Sequence, residues 1–410
     1  MRRIAWALLL LFAFAIPWEY SMDLGEPLGN IARIAGLLLL LAAIPAILQA
    51  GRMRTPGSMQ GLVLAFYLWL CCTYFWTIAA QATIGKIRAN FQEMMIVWLV
   101  WEFAESAEDL RALLRAYVAG SWVLALLTMA NFASPEAIAA GQIRFAAAGQ
   151  DPNDVARFLD LGFPLAALLL NSEPHWAGRL LALGYLPLGL VAVLLTASRG
   201  GFLAALVAVA GSGLLLAQGH PRRVVSGALA LPAITAGIWF AVPHQTLERL
   251  ATIPGQLRGG DLNQRFNIWA AGWHAFVQAP LLGTGAGSFV SATGSAPLDT
   301  AHNTVLSIAV NGGLIGLFLA LGIAVLAAWS VLQTHGALRV ALATALLVWV
   351  ITSLVATVDE SRTTWLLLAM IALAGRLVAE EPERLACCFP DKALVPAPRF
   401  IGSQFSGLPD

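Results

Sequence analysis

The chain alternates long apolar runs with short polar breaks. A helix that crosses a bilayer needs about 20 mainly apolar residues. Twelve segments approach that requirement: 4–18, 31–50, 60–80, 91–104, 110–130, 154–171, 179–197, 201–218, 223–242, 303–332, 337–357 and 363–379. The fourth is short, and Glu102 lies near its end. The pattern predicts an all-α polytopic membrane protein of about 12 transmembrane helices. The first run follows Arg2-Arg3 and ends in Ala13-Phe14-Ala15, a possible leader-cleavage box. Eleven further spans need no removable leader, so this segment is expected to stay as a span.

One polar break, 243–302, is much longer than the others and divides the chain. Residues 1–242 hold nine expected spans, 303–379 hold three, and 380–410 form a Pro-containing tail expected to be mobile. Within the long break, 263–278 reads as an amphipathic helix. Asn263 can cap it, and Phe266, Trp269, Trp273 and Phe276 follow at i, i+3, i+7 and i+10, a stripe suited to headgroups or to neighbouring loops. Long ordered loops in compact folds tend to bind or to act as lids.

Sidedness follows from Lys and Arg. With twelve spans both termini share a side, which collects Arg2, Arg3, the short-loop pairs Arg52/Arg54 and Arg222/Arg223, and several later arginines. That side is expected to be cytoplasmic. The 243–302 loop then faces the opposite, outer side of the membrane.

Composition supports the membrane assignment. Hydrophobic residues make up 59% and charged residues 11%, against about 25% charged in soluble domains. A net charge of +1 leaves no basic field for nucleic acid, so lipids are the expected surroundings. The cysteines, Cys71-Cys72 and Cys387-Cys388, lack metal or redox spacing. No Asp-x-Asp occurs to hold a metal–diphosphate, so no metal and no cofactor are expected.

Four residues on the loop side could carry chemistry. Arg199 sits in Thr196-Ala197-Ser198-Arg199-Gly200-Gly201 between two apolar runs with almost no loop. An arginine is too costly at mid-bilayer, so it must reach an interface or a polar cavity. Gly200-Gly201 is expected to make the tight turn or to admit a ligand. Arg265 opens the amphipathic helix. Arg144 precedes Asp151-Pro152-Asn153-Asp154, which reads as a helix entry capped by Asp151. His302 ends the long loop, and a neutral imidazole can accept a hydroxyl proton. Converging guanidinium forks suit phosphate, and arginines with one base are what transfer from a lipid diphosphate requires.

His302-Asn303 is followed by nine residues and then Gly313-Leu314-Ile315-Gly316. This resembles the bacterial O-antigen ligase and polymerase family, whose ligase branch carries His-[Asn/Ser/Gln], nine residues, Gly-x-x-[Gly/Thr/Tyr]. Ser198-Arg199-Gly200-Gly201, Arg265-Phe266-x-x-Trp269 and the stretch from Arg144 to Asn153 also resemble family segments. The resemblance runs over roughly 140–370. It implies an O-antigen ligase, a glycosyltransferase with an undecaprenyl diphosphate-linked O-antigen as donor and lipid A-core as acceptor. His302 would be the base, and Arg144, Arg199 and Arg265 would bind the diphosphate. Asp359, in Val358-Asp359-Glu360-Ser361-Arg362, resembles an acidic position of the family. It could orient His302 or Arg265, or simply pair with Arg362. O-antigen polymerase and protein O-oligosaccharyltransferase share the donor chemistry. A lipid-linked sugar flippase would instead need charges deep in several spans.

Overall fold

A computed structural model describes residues 1–25, 29–218, 242–260, 265–295 and 300–390, together with Gly237. Long apolar runs form helices because each backbone group is satisfied inside its own segment, the condition a bilayer imposes. The first helices are α1 (Arg2–Ala15), α2 (Ile31–Ala50), α3 (Ser58–Cys72), α4 (Ala80–Phe103), α5 (Ala107–Phe132) and the short α6 (Pro135–Ala139). Next come α7 (Pro152–Ser172), α8 (Trp176–Leu195) and α9 (Arg199–Ala217). Among the described residues, four helices lie in the long loop: α10 (His244–Ala251), α11 (Ile253–Gly259), α12 (Arg265–Gln278) and α13 (Phe289–Thr293). The chain continues with α14 (Thr304–Gln333), α15 (Gly336–Val355), α16 (Arg362–Glu380) and α17 (Pro382–Cys388). No β-strand forms among the described residues, and ten helices are long and apolar enough to cross a membrane. The protein is an all-α polytopic membrane protein. The expected span 223–242 and the cap Asn263 lie outside the described residues.

α7 is the hub, packing against α5, α8, α9 and α15. Almost all of its side chains are buried. Asp151 caps it as expected, accepting the Asn153 amide at 2.7 Å. The end of the bundle away from the long loop is fastened by arginines. Arg2 pairs with Glu102 and Glu105, Arg115 grips Glu173 through two bonds, and Arg376 donates to the Trp101 carbonyl.

Three features depart from the sequence reading. The fourth span was expected at 91–104, yet α4 begins eleven residues earlier. Lys86, Asn90 and Glu93 are buried within it, and the Lys86 charge is met by carboxylates on another segment, so the helix continues through polar positions. Arg157 and Asp160 are likewise buried in α7, so charge is not confined to the rims. The tail does not loosen at 380. α17 follows, and the Cys388 carbonyl accepts from Arg111, whose guanidinium lies over Phe389.

The expected apolar stripe of the loop helix divides in two. In α12, Trp269 and Phe276 turn toward the protein with Ala275, near Phe289, Ala301 and Val310. Phe266, Trp273 and Val277 remain exposed.

Candidate active site

The site is built around a turn with no loop. α8 ends at Leu195 and α9 starts at Arg199, leaving 196–198 to reverse the chain. The reversal falls on Ala197, at φ +48°, a left-handed conformation disfavoured for residues with a side chain. Gly200-Gly201 does not make it. A Cβ on Gly201 would lie 2.3 Å from the Ala156 methyl, so this glycine lets α9 close on α7. Ser198 caps α9 by accepting the Gly201 amide at 3.1 Å.

The turn leaves carbonyls pointing outward, and arginines take them. Arg144 Nε donates to Thr196 O, and Arg249 Nε donates to Ala197 O, both at 3.3 Å. Asn153 Oδ1 accepts from Arg144 Nη2 at 3.0 Å and from Ser198 Oγ at 2.8 Å. One amide side chain thus fixes both the Arg144 fork and the α9 cap.

Arg144, Arg199, Arg249 and Arg265 all line one cleft of about 150 Å³, with Asn153, Trp269 and Val355 among its walls. Burial lowers the Arg144 pKa, Asp151 opposes this, and the three other arginines lower it further. Burial followed by Arg199 lowers that of Arg249. Burial lowers that of Arg265, with Asp151 opposing. These are groups pushed away from their charged form, and an anion would reverse the push. We expect pyrophosphate to raise the melting temperature of the purified protein. Arg249→Gln should weaken the pyrophosphate effect; a ligand response unchanged in that variant would contradict a shared anion cleft.

His302 stands at the edge of this cleft and does not line it. Ala301, immediately before it, accepts the indole N–H of the lining residue Trp269 at 3.0 Å. Asn303, immediately after it, donates to Leu354 O at 3.3 Å, next to the lining residue Val355. The ring is half-buried, with Nδ1 3.4 Å from Thr300 Oγ1. His302 has φ +46°. The two described non-glycine residues in the left-handed region, Ala197 and His302, therefore both flank the cleft. Such strain is costly and concentrates at functional sites.

The spacing from His302 to the glycines now has a structural reason. Asn303 Oδ1 caps α14 by accepting the Leu306 amide at 2.9 Å. About two and a half turns later α14 breaks at Gly313, φ +64° and ψ −165°. The segment 280–285 enters the gap: Thr284 and Gly285 amides donate to Val310 and Asn311 carbonyls, and the Leu314 amide donates to Pro280 O. A Cβ on Gly313 would sit 2.2 Å from Leu281 O. Gly313→Ala should destabilise the protein by about 1–3 kcal/mol, read as a lower melting temperature. Wild-type stability would show that the break is dispensable.

Residues 184–321 match the family model described as O-antigen ligase. Over this stretch the chain is similar to the O-antigen ligase family. No curated relative matches the chain. The matched stretch contains the 196–198 turn, Arg199, Arg249, Arg265, His302 and Gly313. Arg144 and Asn153 join the cleft from outside it. The match supports an enzyme of the O-antigen ligase or polymerase type, acting on lipid-linked polysaccharide.

Asp359 is held elsewhere. Its Oδ2 lies 2.6 Å from Lys86 Nζ, and Lys86 also pairs with Glu360. The contacts considered from sequence, to His302, Arg265 or Arg362, are not the ones formed. Arg362 pairs with Glu19 and donates to Gln92 Oε1 at 2.7 Å. Sequence reasoning also missed Arg249, which no motif or spacing singles out.

Proposed function

We propose that the protein is an O-antigen ligase that moves preassembled O-antigen from undecaprenyl diphosphate to a sugar hydroxyl of lipid A-core. The observation that carries this reading is the four-arginine cleft with His302 at its edge. The diphosphate occupies the cleft, where guanidinium forks meet its oxygens in pairs. The acceptor hydroxyl oxygen attacks the anomeric carbon while His302 takes its proton. The bond from that carbon to the diphosphate oxygen breaks, and the arginines stabilise the charge left on undecaprenyl diphosphate. An apolar groove of about 390 Å³ starts at Thr304 and Leu354 and runs between α14, α15 and α16. Leu354 adjoins the cleft residue Val355, so the polyprenyl chain can leave the cleft into this groove. The cleft faces the periplasm of the bacterial inner membrane, and both termini are cytoplasmic.

Purified protein in proteoliposomes, given a lipid diphosphate-linked oligosaccharide and lipid A-core, should yield glycosylated lipid A-core and undecaprenyl diphosphate. Lengthened donor glycan without acceptor would identify a polymerase, transfer to a protein acceptor an oligosaccharyltransferase, and transbilayer movement without transfer a flippase. Because four arginines supply the positive charge, chelators should leave the rate unchanged. Strong inhibition reversed by magnesium would contradict this.

A further inference from the structure

Lys86 lies in α4, outside the family stretch and outside the cleft. It is 5% exposed, and a lysine buried to this degree needs partners to hold its charge. Its partners, Asp359 and Glu360, belong to the 356–361 turn between α15 and α16. The same turn grips the start of α14. Thr304 Oγ1 donates to Ala356 O at 2.8 Å and accepts the Val358 amide at 2.9 Å. The turn is fixed from its other side by Thr364 Oγ1, which donates to Val358 O, and by Trp365 Nε1, which donates to Asp359 O, both at 2.9 Å. Thr304 is two residues from His302, and Asn303 between them donates to Leu354 O on α15.

The links form a continuous chain: Lys86 to Asp359, the turn to Thr304, and Thr304 to the strained His302. We infer that Lys86 is a positioning residue, fastening the 356–361 turn so that the turn holds the entry of α14 and, with it, the His302 ring. A strained φ persists only where its surroundings over-determine it, and this turn is part of those surroundings. The inference rests on the reading of His302 as the base.

The test uses full-length protein in the reconstituted transfer assay. Lys86→Met should lower kcat about 10- to 100-fold, the effect of misplacing a reacting group by about an ångström. Donor binding should remain at wild-type affinity, and Lys86→Arg should recover part of kcat. In a His302→Gln background, Lys86→Met should cause no further loss, because the two substitutions remove one function. Should Lys86→Met fail to fold, Lys86→Met with Asp359→Leu replaces both buried partners by apolar groups, which bundle interiors tolerate. That variant should fold and remain slow. Wild-type kcat in a folded Lys86 variant, an additive loss with His302→Gln, or a loss of donor binding alone would overturn the assignment. His302→Gln with wild-type turnover would overturn the base reading itself, whatever Lys86 does.

Discussion

His302→Ala should turn over about 10² to 10⁴ times more slowly than wild type, the usual contribution of a general base. Its fold should be unaffected, because Asn303 and Thr304 make the bonds that start α14. Replacing a strained left-handed histidine by alanine keeps the same backbone requirement, so little stability is gained or lost. His302→Gln retains hydrogen bonding without accepting a proton and should be nearly as slow. A Gln variant at the wild-type rate would reduce His302 to orienting the acceptor. Initial rates at saturating donor, with glycosylated acceptor quantified, distinguish the two.

Arg199→Lys and Arg265→Lys should each lose most activity although the charge is kept. A lysine offers a point charge where a planar fork can bind two oxygens together. Each bond to an ionised group contributes about 1.5–3 kcal/mol, so roughly tenfold to hundredfold weaker handling of the diphosphate is expected per substitution. Arg249→Lys should behave alike, since Arg249 lines the same cleft and is oriented by Ala197 O. Wild-type kcat/KM in all three lysine variants would refute recognition of the diphosphate by forks.

Most of the membrane architecture is legible in the residues, because apolar runs of bilayer length have few alternatives to a helix. Where it was not legible, local polarity misleads. Lys86 and Asn90 read as the polar break before the fourth span, whereas in the structure carboxylates 273 and 274 positions away, Asp359 and Glu360, neutralise Lys86. The site shows the same division. His302, Arg199, Arg265 and Arg144 carry motif spacing that can be read directly. Arg249 joins them only when α10 docks on the 196–198 turn, a tertiary event with no local signature. The glycines mislead in a similar way: Gly200-Gly201 looks like the turn, but packing on Ala156 is what Gly201 serves, and the strained position falls to Ala197. Gly313 is recognisable by spacing, but the reason for it, a loop filling the break in α14, lies outside its own segment.

The division of labour between cleft and histidine is the central claim, and donor binding measures it most directly. Equilibrium binding of a labelled undecaprenyl diphosphate-linked oligosaccharide should be unchanged in His302→Ala and at least about tenfold weaker in Arg265→Ala, the equivalent of about 1.4 kcal/mol. The opposite result, with binding lost in His302→Ala and intact in Arg265→Ala, would contradict the account by placing the diphosphate on the histidine and leaving the arginine cleft without its ligand.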